Sequence, residues 1–95
     1  MEEITFVSES GFEYHLAPDA KDDYDFFMAV RKANDPDVSK FDQQAAYLDA
    51  FKALIGDEQD KALRKFLKER DGRVKTSAYF KEAMEVIANS GNKKK

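Results

Sequence analysis

The segment from Lys40 to Ile55 constrains the fold most strongly, because its large apolar residues recur with the spacing of one helix face. They fall at i, i+1, i+4, i+7 and i+8 and are Tyr47, Leu48, Phe51, Leu54 and Ile55. Ser39 precedes the segment as an N-cap residue type, and Gly56 follows it where many helices end. The pattern predicts an amphipathic helix over residues 40–55 that packs against a core.

Three other segments share this periodicity and predict helices over about 22–34, 57–70 and 77–88. Their predicted inner faces are Phe26, Phe27, Val30 and Ala33 in the first, Ala62, Leu63, Phe66 and Leu67 in the second, and Phe80, Ala83, Met84 and Ile87 in the third. In helix 57–70, Asp57 is the predicted N-cap and Gly72 is predicted to end the helix. Thr76 is the predicted N-cap of helix 77–88.

The N-terminal segment 3–16 has a different pattern, which is typical of two short strands. Residues 4–7 and 12–16 are rich in β-branched and aromatic residues, and residues 8–11 between them have turn chemistry. Phe12, Tyr14 and Leu16 share one face of the second strand, so this face is expected to be covered. The predicted fold class is α+β, mostly α, with an N-terminal β-hairpin packed on about four short helices.

A chain of 95 residues has room for one domain. We place that domain at residues 1–88 and predict a flexible, basic tail over residues 89–95, which hold no large apolar side chain. A core of this size stabilises a monomer only modestly, so a homo-oligomer is expected.

Composition narrows the cellular compartments and the classes of partner expected for the protein. The chain has no cysteine, and its acidic N-terminus lacks the pattern of a signal peptide. No segment has the roughly 20 apolar residues that span a membrane. These features favour the cytoplasm and no membrane partner. The net charge of −3 makes nucleic acid an unfavoured partner.

Residues that could support catalysis or bind a cofactor are scarce. His15 is the only histidine and is predicted to be a surface residue beside Glu13, with a metal or general-base role as the alternative. The acidic residues, including the pair Glu82 and Glu85, are interpreted mostly as caps and solvated faces. No phosphate-binding glycine loop is present. We therefore predict no enzyme activity, no catalytic residue, no cofactor and no metal.

The predicted helix over residues 57–70 has a basic face that could contact a phosphate backbone. Its cations are Lys61, Arg64, Lys65, Lys68 and Arg70. Acidic residues lie nearby, and Asp60 is spaced to pair with Arg64 one helical turn later. A solvated face is therefore favoured, and a small nucleic-acid-binding regulator that uses helix 57–70 is the alternative function.

Aromatic residues exceed the needs of a single small core. Phe26 and Phe27 are adjacent, so they point about 100° apart on a helix. Tyrosine and phenylalanine in excess are typical of protein-binding surfaces. The predicted protein-binding residues are Tyr24, Phe26, Phe27, Tyr47 and Tyr79.

Several segments, taken in order, resemble the small tail assembly chaperones of long-tailed bacteriophages and prophages. They are Gly11-Phe12-Glu13-Tyr14, Asp22-Asp23-Tyr24-Asp25-Phe26, Leu54-Ile55-Gly56-Asp57-Glu58-Gln59 and Leu67-Lys68-Glu69-Arg70-Asp71-Gly72-Arg73-Val74. The resemblance covers most of the chain. It departs at Lys75-Thr76, where related sequences often have a proline or another first helical residue.

The resemblance implies a function in tail assembly and carries over no catalytic residue. Such a protein would bind the tape-measure protein in the bacterial cytoplasm, help tail-tube subunits gather around it, and be absent from the finished virion.

Overall fold

The computed structural model describes residues 3–90, and the N-terminal part of this range is a two-stranded antiparallel hairpin. Strands β1 (Ile4–Val7) and β2 (Glu13–Leu16) pair with Ile4 opposite Leu16 and Val7 opposite Glu13. In the turn, the Gly11 N–H donates to the Ser8 carbonyl over 2.9 Å, and Gly11 has a φ of 96°. Glycine suits this position because other residues rarely adopt a positive φ. The predicted hairpin is confirmed.

Four helices follow the hairpin, so the predicted fold class is confirmed. They are α1 (Tyr24–Ala33), α2 (Lys40–Ile55), α3 (Asp57–Asp71) and α4 (Thr76–Ser90). The bounds of α2 match the prediction, and Ser39 caps it by accepting a hydrogen bond from the Asp42 N–H over 3.1 Å. No helix within residues 3–90 is long and apolar enough to cross a membrane.

The ends of the other helices differ from the prediction for local reasons. Helix α1 begins two residues late because Asp23 is its N-cap and accepts from the Phe26 N–H. Gly56 both ends α2 and caps α3, since its carbonyl accepts from the Asp60 N–H, so the prediction of Asp57 as the cap is wrong.

Helix α4 begins earlier and ends later than predicted. The Lys75 carbonyl accepts from the Tyr79 N–H, so Thr76 is the first helical residue and the prediction of Thr76 as N-cap is wrong. Asn89, predicted to belong to the flexible tail, is helical, and its side-chain amide donates to the Glu85 carbonyl over 2.7 Å. Residues 91–95 of the predicted tail lie outside the described residues.

The core lies where β2, α2, α3 and α4 meet. Its buried apolar residues are Tyr14, Leu16, Phe51, Leu54, Ile55, Leu63, Leu67, Ala83 and Val86. Phe51 lies between two tyrosines, with ring centroids 6.1 Å from Tyr14 and 5.3 Å from Tyr79. The α2 stripe predicted from the sequence therefore supplies the centre of the core.

Three residues predicted on inner helix faces are exposed instead. Ala62 and Met84 face solvent because the buried faces of α3 and α4 are centred on neighbouring positions, including Val86 on α4. Phe27 is exposed because α1 packs chiefly against α2, which covers only one narrow face of that helix.

Candidate functional site

A buried hydrogen bond joins the hairpin to α4. The Tyr14 hydroxyl donates to Glu82 Oε1 over 2.6 Å, and the two residues are 0% and 3% exposed. The interpretation of Glu82 as part of a solvated face is therefore wrong. The reason is tertiary: Glu82 lies on the inner face of α4, and a phenol from a distant strand satisfies part of its hydrogen-bonding capacity.

A second buried carboxylate, Asp60, joins α3 to α4. It accepts hydrogen bonds from the Tyr79 hydroxyl and from Arg64 Nε, the latter over 3.0 Å, and the residue is 2% exposed. The predicted Asp60–Arg64 pair is confirmed, whereas the burial of Asp60 is not evident from the sequence. The two tyrosine–carboxylate pairs flank Phe51 and fix how the hairpin, α3 and α4 pack.

Burial and hydrogen bonding keep both phenols protonated. The pKa of Tyr14 is raised first by burial and then by its hydrogen bond to Glu82. The pKa of Tyr79 is raised by burial and by its hydrogen bond to Asp60. A phenol with a raised pKa is a stable donor to a carboxylate at neutral pH, so these groups are suited to fixing the fold.

Stability should therefore fall as the pH rises above about 10, the ordinary pKa of tyrosine. There the unfolded chain releases the Tyr14 proton while the folded protein keeps it, because the folded pKa is raised. Linkage then removes up to about 1.4 kcal/mol of unfolding free energy per pH unit for this group. Urea unfolding at successive alkaline pH values tests this, and Tyr14→Phe should show a shallower decline. A decline as steep as in the native protein would contradict the prediction.

An apolar groove lies where α1, α2 and α4 meet, beside the core. Its volume is about 400 Å³, and its lining residues are Val30, Ala33, Asn34, Gln43, Gln44, Tyr47, Ala50, Phe80 and Ile87. Tyr47 and Phe80 form one wall by stacking, with centroids 5.3 Å apart and an angle of 22° between the rings. None of these lining residues is charged, so the groove suits an apolar ligand surface.

The five predicted protein-binding residues lie in different places. Tyr24 and Phe27 are exposed on the outer face of α1, whereas Phe26 is half-buried against the core. Tyr47 lines the groove, and Tyr79 is partly buried with its hydroxyl bonded to Asp60. The structure therefore brings together Tyr24 and Phe27 but does not assemble all five into one surface.

Sequence reasoning missed several residues that accompany these aromatics. Val30 and Phe80 line the groove together with Tyr47. Met28 is exposed next to Phe27, and Phe41 in the first turn of α2 is also exposed. Phe41 falls outside the apolar stripe of α2, so its exposure could have been predicted from the sequence. The groove depends on how α1 and α4 pack, and no sequence pattern predicts it.

His15 lies on the polar face of the hairpin, as the sequence predicts. Its side chain is half exposed, with Nε2 3.1 Å from Glu13 Oε2 and Nδ1 3.6 Å from Glu3 Oε1. Gln59 pairs with the His15 backbone, accepting from its N–H and donating to its carbonyl, each over 2.7 Å. Among residues 3–90, no group of three or more acidic, histidine or cysteine side chains could hold a metal ion.

The basic face of α3 is partly neutralised within the protein. Arg64 pairs with Asp60, and Arg70 donates two hydrogen bonds to Asp71 over 2.8 and 2.9 Å. The hydrogen bond from Arg70 lowers the pKa of Asp71, so Asp71 remains charged. The exposed cations Lys61, Lys65 and Lys68 remain on this face. This arrangement reduces the charge available to a phosphate backbone.

Comparison with known proteins adds no relative to these observations. No protein-family model matches the chain, and no significant match was found among curated proteins or among solved structures.

Proposed function

We propose that this protein is a phage tail assembly chaperone that binds the tape-measure protein and promotes assembly of the tail tube through protein–protein contacts. It acts in the cytoplasm of the bacterial host and is absent from the finished virion. It uses no cofactor and catalyses no reaction. The order of motifs that resembles such chaperones is the starting point for this proposal.

The observation that carries the proposal is the apolar groove between α1, α2 and α4. Proteins recognise amphipathic helices by placing the apolar face of the helix in a groove of this kind. The aromatic wall of Tyr47 and Phe80 supplies contact area with few rotatable bonds, which limits the entropy lost on binding. The uncharged lining favours an apolar stripe on the partner, which a long helical tape-measure protein would expose before the tube surrounds it.

The alternative, a nucleic-acid-binding regulator, would use the basic face of α3. Two of its five cations, Arg64 and Arg70, already bind carboxylates of this chain. The chain also has a net charge of −3. Tight, salt-sensitive binding of the native protein to duplex DNA would support this alternative.

Placing a charge in the groove should abolish chaperone function. In Ala33→Glu, a carboxylate enters an apolar wall and loses water when the partner binds, which should weaken binding about tenfold or more. The assay is co-expression with a tagged fragment of a tape-measure protein. The fragment should stay soluble with the native protein and precipitate with Ala33→Glu.

Ala62→Glu is the matched control, because Ala62 is an exposed alanine on α3 outside the groove. It should keep the fragment soluble. Gln44→Glu, which adds a charge at an exposed groove position without changing the shape of the side chain, provides a second test if Ala33→Glu unfolds. Equal solubility of the fragment with all variants would contradict the proposal, as would tight, salt-sensitive binding of the native protein to duplex DNA.

A further inference from the structure

The outer face of α1 carries an apolar stripe that the rest of residues 3–90 leaves largely open. Tyr24, Phe27 and Met28 are 74%, 62% and 36% exposed. They are spaced at i, i+3 and i+4, so they share one side of the helix, and Arg31 extends the same side by one turn. The inner side of α1, with Phe26 and Val30, is the side that faces the core and the groove.

The charges of α1 are divided between its two ends. Asp25 lies in the first turn, and Arg31 and Lys32 lie in the last turn. Within residues 3–90, none of these three side chains makes an ion pair. A partner that covers the stripe should therefore present basic groups near the start of α1 and acidic groups near its end.

A second copy of α1 in antiparallel orientation has this arrangement of charges. We infer that the outer face of α1 is a homodimer interface, in which α1 of one copy packs antiparallel against α1 of a second copy across a two-fold axis. The pair Phe27 and Met28 lies at the centre. Tyr24 is three positions before Phe27, and Arg31 is three positions after Met28, so Tyr24 faces Arg31 of the second copy.

The same two-fold axis brings Asp25 close to Lys32 of the second copy, on one side of the apolar centre. Each dimer then has two such ion pairs and two contacts between a tyrosine ring and a guanidinium group. A parallel arrangement would leave the two Asp25 side chains at one end of the pair and the two Lys32 side chains at the other, so it would form neither of these ion pairs. The charge pattern therefore favours the antiparallel dimer over the parallel one.

The dimer should be weak, because its central helix is short. Helix α1 has ten residues, which corresponds to a length of about 15 Å. Interfaces of this size are typical of transient complexes. We expect a monomer–dimer equilibrium that shifts toward the dimer as protein concentration rises.

Sedimentation equilibrium of the purified full chain, with no other protein present, tests this inference. The native protein should show an average mass that rises from monomer toward twice that value with concentration. Phe27→Ser should remain monomeric over the same range, because it removes an exposed ring from the centre of the interface. Phe41→Ser is the matched control on α2, where the ring is 80% exposed, and it should dimerise like the native protein.

A charge exchange tests the antiparallel orientation. Asp25→Lys should weaken the dimer, because it places two cations together, and the double variant Asp25→Lys with Lys32→Asp should restore it. A native protein that stays monomeric at all concentrations, or an unchanged equilibrium in Phe27→Ser, would overturn the inference. So would equal loss in Phe41→Ser, or failure of the double variant to recover while circular dichroism shows a native helix content. The groove variants leave this face intact, so failure of the proposed function would not change these results.

Discussion

Phenylalanine in place of Tyr14 should lower the free energy of unfolding by about 2–3 kcal/mol, although it removes a single oxygen atom. The Tyr14 hydroxyl donates to Glu82 over 2.6 Å inside the core. Without it, a carboxylate that is 3% exposed loses a hydrogen-bond donor and cannot regain water without disturbing the packing. Urea unfolding followed by circular dichroism at neutral pH measures the change.

Two comparisons isolate the buried hydrogen bond from the loss of a hydroxyl as such. Tyr24→Phe removes the same atom from an exposed ring and should change stability by less than about 0.5 kcal/mol. Glu82→Leu should also destabilise, because it leaves the Tyr14 hydroxyl without its acceptor. The double variant Tyr14→Phe with Glu82→Leu should lose less than the sum of the two single changes by at least about 1 kcal/mol. Strict additivity would show that the two groups do not depend on each other.

Local sequence signals predicted the elements of the fold because those elements depend on near neighbours. The 3.6-residue spacing of apolar residues along α2, together with Ser39 and Gly56 at its ends, is sufficient to define that helix. Gly11 and Gly72 similarly marked the hairpin turn and the end of α3, where the backbone has a positive φ. Predicted helix ends were wrong by one or two residues because the cap lay at a neighbouring position: the Asp23 side chain caps α1, and the Lys75 carbonyl accepts the first hydrogen bond of α4.

The buried carboxylates could not be predicted in this way. A charged residue on an amphipathic helix is assigned to the solvent face unless a partner is known. The tyrosine partner of Glu82 is 68 positions away, and the tyrosine partner of Asp60 is 19 positions away. Only the packing of β2 and α3 against α4 brings these groups together, and a single sequence contains no signal for that arrangement.

The candidate binding surfaces were predicted in part for the same reason. Periodicity placed Phe27 on an inner face, but α1 packs chiefly on α2 and leaves that side open. The groove beside Tyr47 needs three helices at once, so its other lining residues, such as Val30 and Phe80, could not be grouped with it beforehand. Aromatic composition predicted protein-binding residues, whereas the placement of these aromatic side chains in the groove and on the outer face of α1 needed the structure.

Phe51→Ala should have the largest effect of any single truncation considered, about 3–5 kcal/mol of unfolding free energy. Phe51 is fully buried and its ring contacts the rings of both Tyr14 and Tyr79, the donors of the two buried hydrogen bonds. A cavity at this position removes packing area and also loosens the two tyrosines. A domain of this size has a total stability of about 5–15 kcal/mol, so the variant should be partly or fully unfolded at modest urea concentrations.

Phe41→Ala is the matched control because it makes the same truncation on the same helix at a ring that is 80% exposed. It should change the free energy of unfolding by less than about 0.5 kcal/mol. Phe51→Leu, which keeps most of the apolar volume, should lose less than Phe51→Ala and remain folded, so a value can be measured even if the alanine variant cannot be studied. Similar losses for Phe51→Ala and Phe41→Ala would mean that the centre of the core does not lie between β2 and α4.

Because both tyrosine–carboxylate pairs depend on that centre, Phe51→Leu should also flatten the decline of stability above pH 10, since looser packing lets Tyr14 ionise more readily in the folded state.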